Sequence, residues 1–172
     1  GKGIFGMTGL DDLPTWPAYD TNFKMNPPLR SAKDREAILQ GIVDGTIEVL
    51  CSDHAPHCGF EKEVEFDYAP FGITGLETAL PSLYDRFISR GIFGWDLVVK
   101  RYSAEPRRIF KLPPVPIVEG GAAEFIVFNP ERTTKFTRDF MKSKSVNTPF
   151  LDKELKGMVE RVVYRGEELV AR

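Results

Sequence analysis

Within Cys51-Ser52-Asp53-His54-Ala55-Pro56-His57-Cys58 stand one carboxylate, both histidines and both cysteines of the chain. A carboxylate beside imidazoles can ligate a metal, move protons as acid and base, or close a turn by satisfying local backbone groups. The spacing alone leaves all three uses open. Pro56 stiffens the turn and removes a backbone donor, so His54 and His57 leave it in defined directions. A local zinc knot of Cys51, Asp53, His54, His57 and Cys58 is the weaker arrangement, because the spacing matches no established finger. On an extended strand Cys51 and Asp53 would share one face, with Ser52 on the other.

The element expected to deliver Asp53 is Thr46-Ile47-Glu48-Val49-Leu50, a short apolar run that reads as a buried parallel strand. Parallel α/β folds place their chemistry at the C-terminal ends of such strands. Upstream, Phe23 and Met25 alternate as on a short strand, which Pro27 and Pro28 end, leaving Asn26 at a second strand terminus. The Asn26 amide offers an acceptor and two donors to a planar polar ligand, or else forms a turn before proline. Between these runs, Ser31-Ala32-Lys33-Asp34 forms a capping box with Asp in place of Glu, Arg35 to Val43 is helix-like, and Gly45 is the stop. Strand, helix, strand is a parallel crossover unit, with helices outside the sheet and functional loops at strand ends.

Cys58 to Gly72 is too long for a tight turn and too charged for a strand, so it reads as a long loop whose acids form a solvated face. Thr74-Gly75-Leu76-Glu77 reads as a capping box for a helix near 75–90, with Leu76, Leu80, Leu83, Tyr84, Phe87 and Ile88 as its core stripe. Trp95 to Tyr102 and Ala104 to Phe110 read as two short helices, the second capped by Ser103 and carrying Pro106 in its first turn. Beyond Pro113-Pro114 the period changes to two, with strands at Ala123 to Phe128, Val159 to Tyr164 and Leu169-Val170, the last two joined by a turn at Arg165-Gly166. The last fifty residues are therefore expected to be mainly β.

Composition limits what such a site can serve. A chain of 172 residues with 42% hydrophobic content is enough for a real core. A net charge of -2 leaves no basic excess for nucleic acid or an anionic membrane surface. No apolar run reaches membrane-spanning length and no signal peptide is legible, so a cytoplasmic chain with reduced cysteines is expected.

Three motifs together carry a resemblance: Asn26-Pro27-Pro28-Leu29-Arg30, Ser52-Asp53-His54-Ala55-Pro56-His57, and Ala69-Pro70-Phe71-Gly72-Ile73-Thr74-Gly75-Leu76-Glu77-Thr78. They resemble the C-terminal part of bacterial-type dihydroorotase, in the amidohydrolase superfamily. The resemblance continues through Glu105 to Phe110, Gly120 to Pro130 and Asn147-Thr148-Pro149-Phe150. It implies an α/β fold, the C-terminal part of a metal-dependent hydrolase (β/α)₈ TIM-like barrel with a segment of a flanking β-sandwich. In domain terms these are 1–19 as an irregular leading segment, 20–114 as partial barrel and 115–172 as sandwich segment.

The implied reaction is the reversible hydrolysis of dihydroorotate to N-carbamoyl-aspartate, in pyrimidine biosynthesis, at a zinc site. Asp53 matches the position that ligates zinc, accepts a proton from the zinc-bound hydroxide and passes it to the leaving ring nitrogen. Asn26, His57, Phe71 and Gly72 match substrate-binding positions, and His54 matches a motif position with no direct substrate role. Hydantoinases and allantoinases share the Asp-His, which keeps another cyclic amide in view as substrate. The family's other zinc ligands, a His-x-His pair, a carboxylated lysine or an aspartate, and two further histidines, have no match here. One carboxylate does not hold a catalytic zinc, which takes about three protein ligands. The chain is therefore expected to be a piece of a larger enzyme, a shortened product, or a non-catalytic relative, for example beside aspartate transcarbamoylase. Uncovered sheet edges point to an oligomer or to a complementing upstream half.

Overall fold

The structure, a computed structural model, describes residues 18–171, so most of the segment 1–19 lies outside the described residues. The fold mixes helix and strand and divides into two compact units. The first runs to Glu77 and is completed by Thr137–Leu151; the second comprises Thr78–Phe136 and Asp152–Arg172.

In the first unit, helix α1 spans Ala32–Asp44 and starts as the sequence dictates. The Asp34 N–H donates to Ser31 Oγ and the Ser31 N–H to Asp34 Oδ2, both at 3.2 Å, and Gly45 closes the helix in the left-handed region at φ 98°. The strand expected at Thr46 to Leu50 does not form. The Thr46 N–H donates to Asp44 Oδ1 (2.9 Å) and the Ile47 N–H to Gly41 O (2.8 Å), so these donors fold back on the helix end. Among the described residues no strand ladder includes this run. One parallel bridge, between His54 and Ile73, is the ladder that remains there. The strand expected at Phe23 to Met25 is replaced by a 3₁₀ turn, Thr21–Phe23, because Asp20 caps it by accepting the Asn22 N–H at 2.9 Å. Helix α2, Gly59–Lys62, is one turn inside the long loop.

In the second unit, α3 (Ala79–Leu83) begins four residues after the expected start and widens at Tyr84–Ile88, where the Ser89 N–H reaches back to Tyr84 O. Its expected capping box is absent because the Thr74 N–H donates to Asn147 O and the Glu77 carboxylate accepts the Lys142 and Ser143 N–H groups instead. Helices α4 (Trp95–Val99) and α5 (Glu105–Ile109) are joined by a widened turn over Lys100–Ala104, so Ser103 lies within a helical run and caps nothing. Pro106 has no N–H to offer the preceding turn, and the widening there accommodates the missing bond.

Strands β1 (Phe125–Lys135), β2 (Glu154–Tyr164) and β3 (Glu167–Ala171) form an antiparallel sheet in that order. The register runs from Phe125 opposite Val163 to Lys135 opposite Glu154, with an irregularity around Pro130, which has no donor for the ladder. Arg165 and Gly166 both take positive φ, as a two-residue hairpin turn requires. Phe128 packs 5.1 Å from the Tyr84 ring and 4.8 Å from that of Trp95. Gly157, at φ 88°, lies flat against Phe128, where a Cβ would collide with the ring. The core is smaller than the composition promises. The buried hydrophobic core among the described residues is Leu39, Ala69, Val98, Phe136, Met141 and Leu155, of which Phe136 alone is fully buried.

Candidate functional site

A cleft of about 320 Å³ in the first unit is lined by Asn26, Asp53, Phe71 and Gly72, together with Met25, Ser52 and neighbouring backbone. Four of the five residues singled out by motif thus share one surface, although they lie in three separate segments. Asp53 stands exposed on extended backbone just before the His54–Ile73 bridge. Asn26 is exposed at the cis bond to Pro27. Gly72 sits at φ 119°, and a Cβ there would lie 2.5 Å from Ala55 Cβ, so only glycine brings this loop against the 53–57 turn.

His57 is not among the lining residues. Its Nε2 is 2.9 Å from Phe71 O, its Nδ1 is 3.9 Å from Glu61 Oε2, and its N–H donates to Asn147 Oδ1 at 3.1 Å. His54 Nδ1 accepts the N–H groups of Gly75 (3.1 Å) and Leu76 (3.3 Å), so the neutral ring carries its proton on Nε2. Cys51 and Cys58 are free and exposed. Among the described residues no three His, Cys, Asp or Glu side chains converge on a metal position, which removes the local zinc knot.

Sequence reasoning missed the groups behind the cleft. Lys24 and Lys62 are buried, at 9% and 6% exposure. Lys24 Nζ donates to Phe66 O (2.7 Å) and Asp67 O (2.9 Å), and lies 4.9 Å from the centre of the Phe71 ring. Lys62 Nζ donates to Pro70 O (2.9 Å) and Gly72 O (3.0 Å). Between them the two ammonium groups clasp the loop from Phe66 to Gly72, and the Gly72 N–H donates to Lys24 O at 3.0 Å. Burial pushes the Lys62 amine down from the ordinary lysine range, the charge of Lys24 adds to that, and Asp20 opposes it. Lys62 stands in Glu61-Lys62-Glu63, a run that reads as solvated face, and only its neighbour Glu63 is exposed as that reading requires.

A larger cleft, about 440 Å³, lies in the second unit between the proline-rich Leu112–Val118 stretch and Tyr164–Arg165. It contains none of the residues singled out for chemistry. No described helix is long and apolar enough to cross a membrane.

No protein-family model matches the chain. It is 42% identical over 149 residues to a dihydroorotase of Carboxydothermus hydrogenoformans, covering 86% of this chain and 35% of that relative. It is 42% identical over 134 residues to the Bacillus subtilis dihydroorotase, covering 78% of this chain and 31% of the relative. The resemblance carried by the motifs therefore holds over most of the chain, and the chain spans about a third of the length of these relatives. Among solved structures it resembles an L-hydantoinase (dihydropyrimidinase) from Arthrobacter aurescens, with TM-score 0.81, 24% identity, and coverage of 89% of this chain and 35% of that one. A D-hydantoinase from Thermus sp. matches with TM-score 0.76 and 24% identity over 88% of this chain and 34% of that one. At these identities the likeness is one of fold.

Proposed function

We propose that this chain supplies the substrate-holding and proton-transfer part of a dihydroorotase, the enzyme that interconverts dihydroorotate and N-carbamoyl-aspartate. The reading is supported above all by one observation: Asn26, Asp53, Phe71 and Gly72, drawn from three motifs, line a single cleft. In the forward direction water adds to the ring carbonyl, the ring C–N bond breaks, and one proton passes from the water to the departing nitrogen. Asp53, exposed to the cleft and unencumbered by burial, is the carboxylate that carries this proton. The flat ring lies against the Phe71–Gly72 backbone, with the Asn26 amide as a polar partner. His57 acts from behind, through its contact with Phe71 O, or turns into the cleft to meet the substrate carboxylate.

Zinc is the metal that the resemblance implies, and the residues present do not fit it by themselves. Asp53 is one donor, His54 and His57 each commit a ring nitrogen to the backbone, and among the described residues no three His, Cys, Asp or Glu side chains converge on a metal position. Any zinc site would take its remaining ligands from polypeptide other than the described residues. In the same reading, residues 20–114 belong to a TIM-like barrel and 115–172 to a flanking β-sandwich, in a cytoplasmic assembly that is an oligomer or a complemented half-enzyme.

The test is a ring-opening assay on the chain with and without the preceding portion of a dihydroorotase, using dihydroorotate and, in parallel, hydantoin. Turnover of dihydroorotate on complementation, abolished by Asp53→Ala, is the expected result. Turnover of hydantoin alone would reassign the substrate. Absence of both would favour a non-catalytic partner, of aspartate transcarbamoylase for example.

A further inference from the structure

Asn147 lies in a stretch with no chemistry legible in its sequence, yet its side chain is one of the best-connected in the first unit. It is buried, at 6% exposure, and both ends of its carboxamide are used. Oδ1 accepts the His57 N–H (3.1 Å) and lies 2.7 Å from the Ser145 hydroxyl, which also reaches His57 O. Nδ2 donates to Ala55 O (3.0 Å) and to Gly72 O (3.3 Å). Its own backbone carbonyl accepts the Thr74 N–H at 3.0 Å. One residue thus bonds to the turn that follows Asp53 and to the loop that carries Phe71 and Gly72, the two edges of the cleft. An amide alone can do this: a carboxylate would keep the acceptor end but oppose two carbonyls, and an isosteric apolar side chain would take the acceptor from the His57 N–H and the donor from Ala55 O.

We propose that Asn147 is a positioning residue of the cleft, its carboxamide fixing the separation between the 53–57 turn and the 71–75 loop. It touches no substrate. It acts by holding Asp53 and the Phe71–Gly72 backbone at one spacing, as supporting groups hold the groups that meet a ligand. The functional half of this inference rests on the reading of the cleft as a dihydroorotate site; the structural half does not.

Amide hydrogen exchange on the intact chain separates the two ends. In Asn147→Leu the His57 N–H, which loses its acceptor, exchanges about tenfold faster or more, since a lost buried bond of ordinary strength is worth about that factor, and the Ala55 N–H, which bonds to Ile73 O between the turn and the loop, accelerates as the tether between them is lost. In Asn147→Asp, which opposes the Ala55 and Gly72 carbonyls, the Ala55 N–H accelerates while that of His57 stays near wild type. Ser145→Ala leaves the Asn147 Nδ2 bonds in place, so the Ala55 N–H stays near wild type, and protection of the α1 amides, in the same unit, checks that each variant is folded. If Asn147→Leu does not fold, the contrast between the other two variants at Ala55 still decides. Equal effects at both ends in Asn147→Asp, or none, would overturn the proposal. With a complementing portion that restores turnover, Asn147→Asp raises KM for dihydroorotate about tenfold with a smaller change in kcat. An unchanged KM would confine Asn147 to folding and overturn the positioning role. If the wild type turns nothing over, the functional reading fails while the exchange pattern still tests the geometry.

Discussion

Lys62 brings an ammonium into the interior, where the carbonyls of Pro70 and Gly72 accept its protons while burial and Lys24 resist its charge. Its folded pKa therefore lies below the ordinary lysine value of 10.5. Between those two values the unfolded chain holds more protons than the folded one, so this residue's contribution to stability rises with pH across that window and is lost as pH falls through the folded pKa. Urea unfolding at stepped alkaline pH should show wild type gaining on Lys62→Met as pH approaches 10.5. Gly72→Ala should behave differently, costing about 1–3 kcal/mol from backbone strain alone, with the collision against Ala55 in addition. Thermal unfolding together with exchange at His57 measures it. Both residues illustrate what was legible at this scale. Asp53, Asn26, Phe71 and Gly72 announce themselves through short motifs, and the structure gathers them in one cleft. Lys24, Lys62 and Asn147 do not, because their roles consist of bonds to backbone atoms 8 to 92 residues away, which no local pattern encodes.

At the scale of elements, legibility followed how local the determining bonds are. Helix α1 was readable to within a residue because its start and stop are set by Ser31, Asp34 and Gly45, all within or beside it. Ser31→Ala should cost about 1 kcal/mol, read by chemical denaturation, since it removes the acceptor for the Asp34 N–H. Asp34 is held below the usual carboxylate range by the Ser31 hydroxyl and N–H and by Arg30. That contribution is accordingly full at neutral pH and is lost as pH falls through the depressed pKa. The β2–β3 hairpin was equally legible from its period of two and its Arg-Gly turn. The strand at Thr46 to Leu50 was not, since an apolar run becomes a strand only where another strand accepts its hydrogen bonds, and here the first donors return to α1. The cap at Thr74 failed for a related reason: the Thr74 N–H goes to Asn147 O and the Glu77 carboxylate takes the Lys142 N–H, sixty-five residues downstream, so neither half of a capping box is left to form.

For the whole molecule, composition overstated the core. Large side chains remain open in both units, Tyr68 and Phe60 in the first and Ile117 and Phe110 in the second, at exposures of 81%, 74%, 83% and 74%. Surface of this kind is what an associating partner covers. The isolated chain should bind zinc weakly and open no dihydroorotate ring, because among the described residues no other ligands converge with Asp53. Titration calorimetry with zinc, followed by the ring-opening assay, checks this. Stoichiometric tight zinc would contradict it. Should a complementing portion confer tight zinc, Asp53→Ala should weaken it, while Asn26→Ala should leave it near normal and raise KM.

The bond from Asn147 to Ala55 spans 92 residues of chain, and it has a consequence for synthesis. A ribosome adding about 5–20 residues per second leaves a delay of roughly five to twenty seconds between the emergence of its two ends. Throughout that interval the Ala55 carbonyl of the nascent turn has water, not the carboxamide, as its partner. Closure must then be made across a long span, at an entropic cost that local helices such as α1 never meet. Until Asn147 emerges the cleft therefore lacks the bonds that join its two edges, and during that window it lies open to a chaperone or a protease.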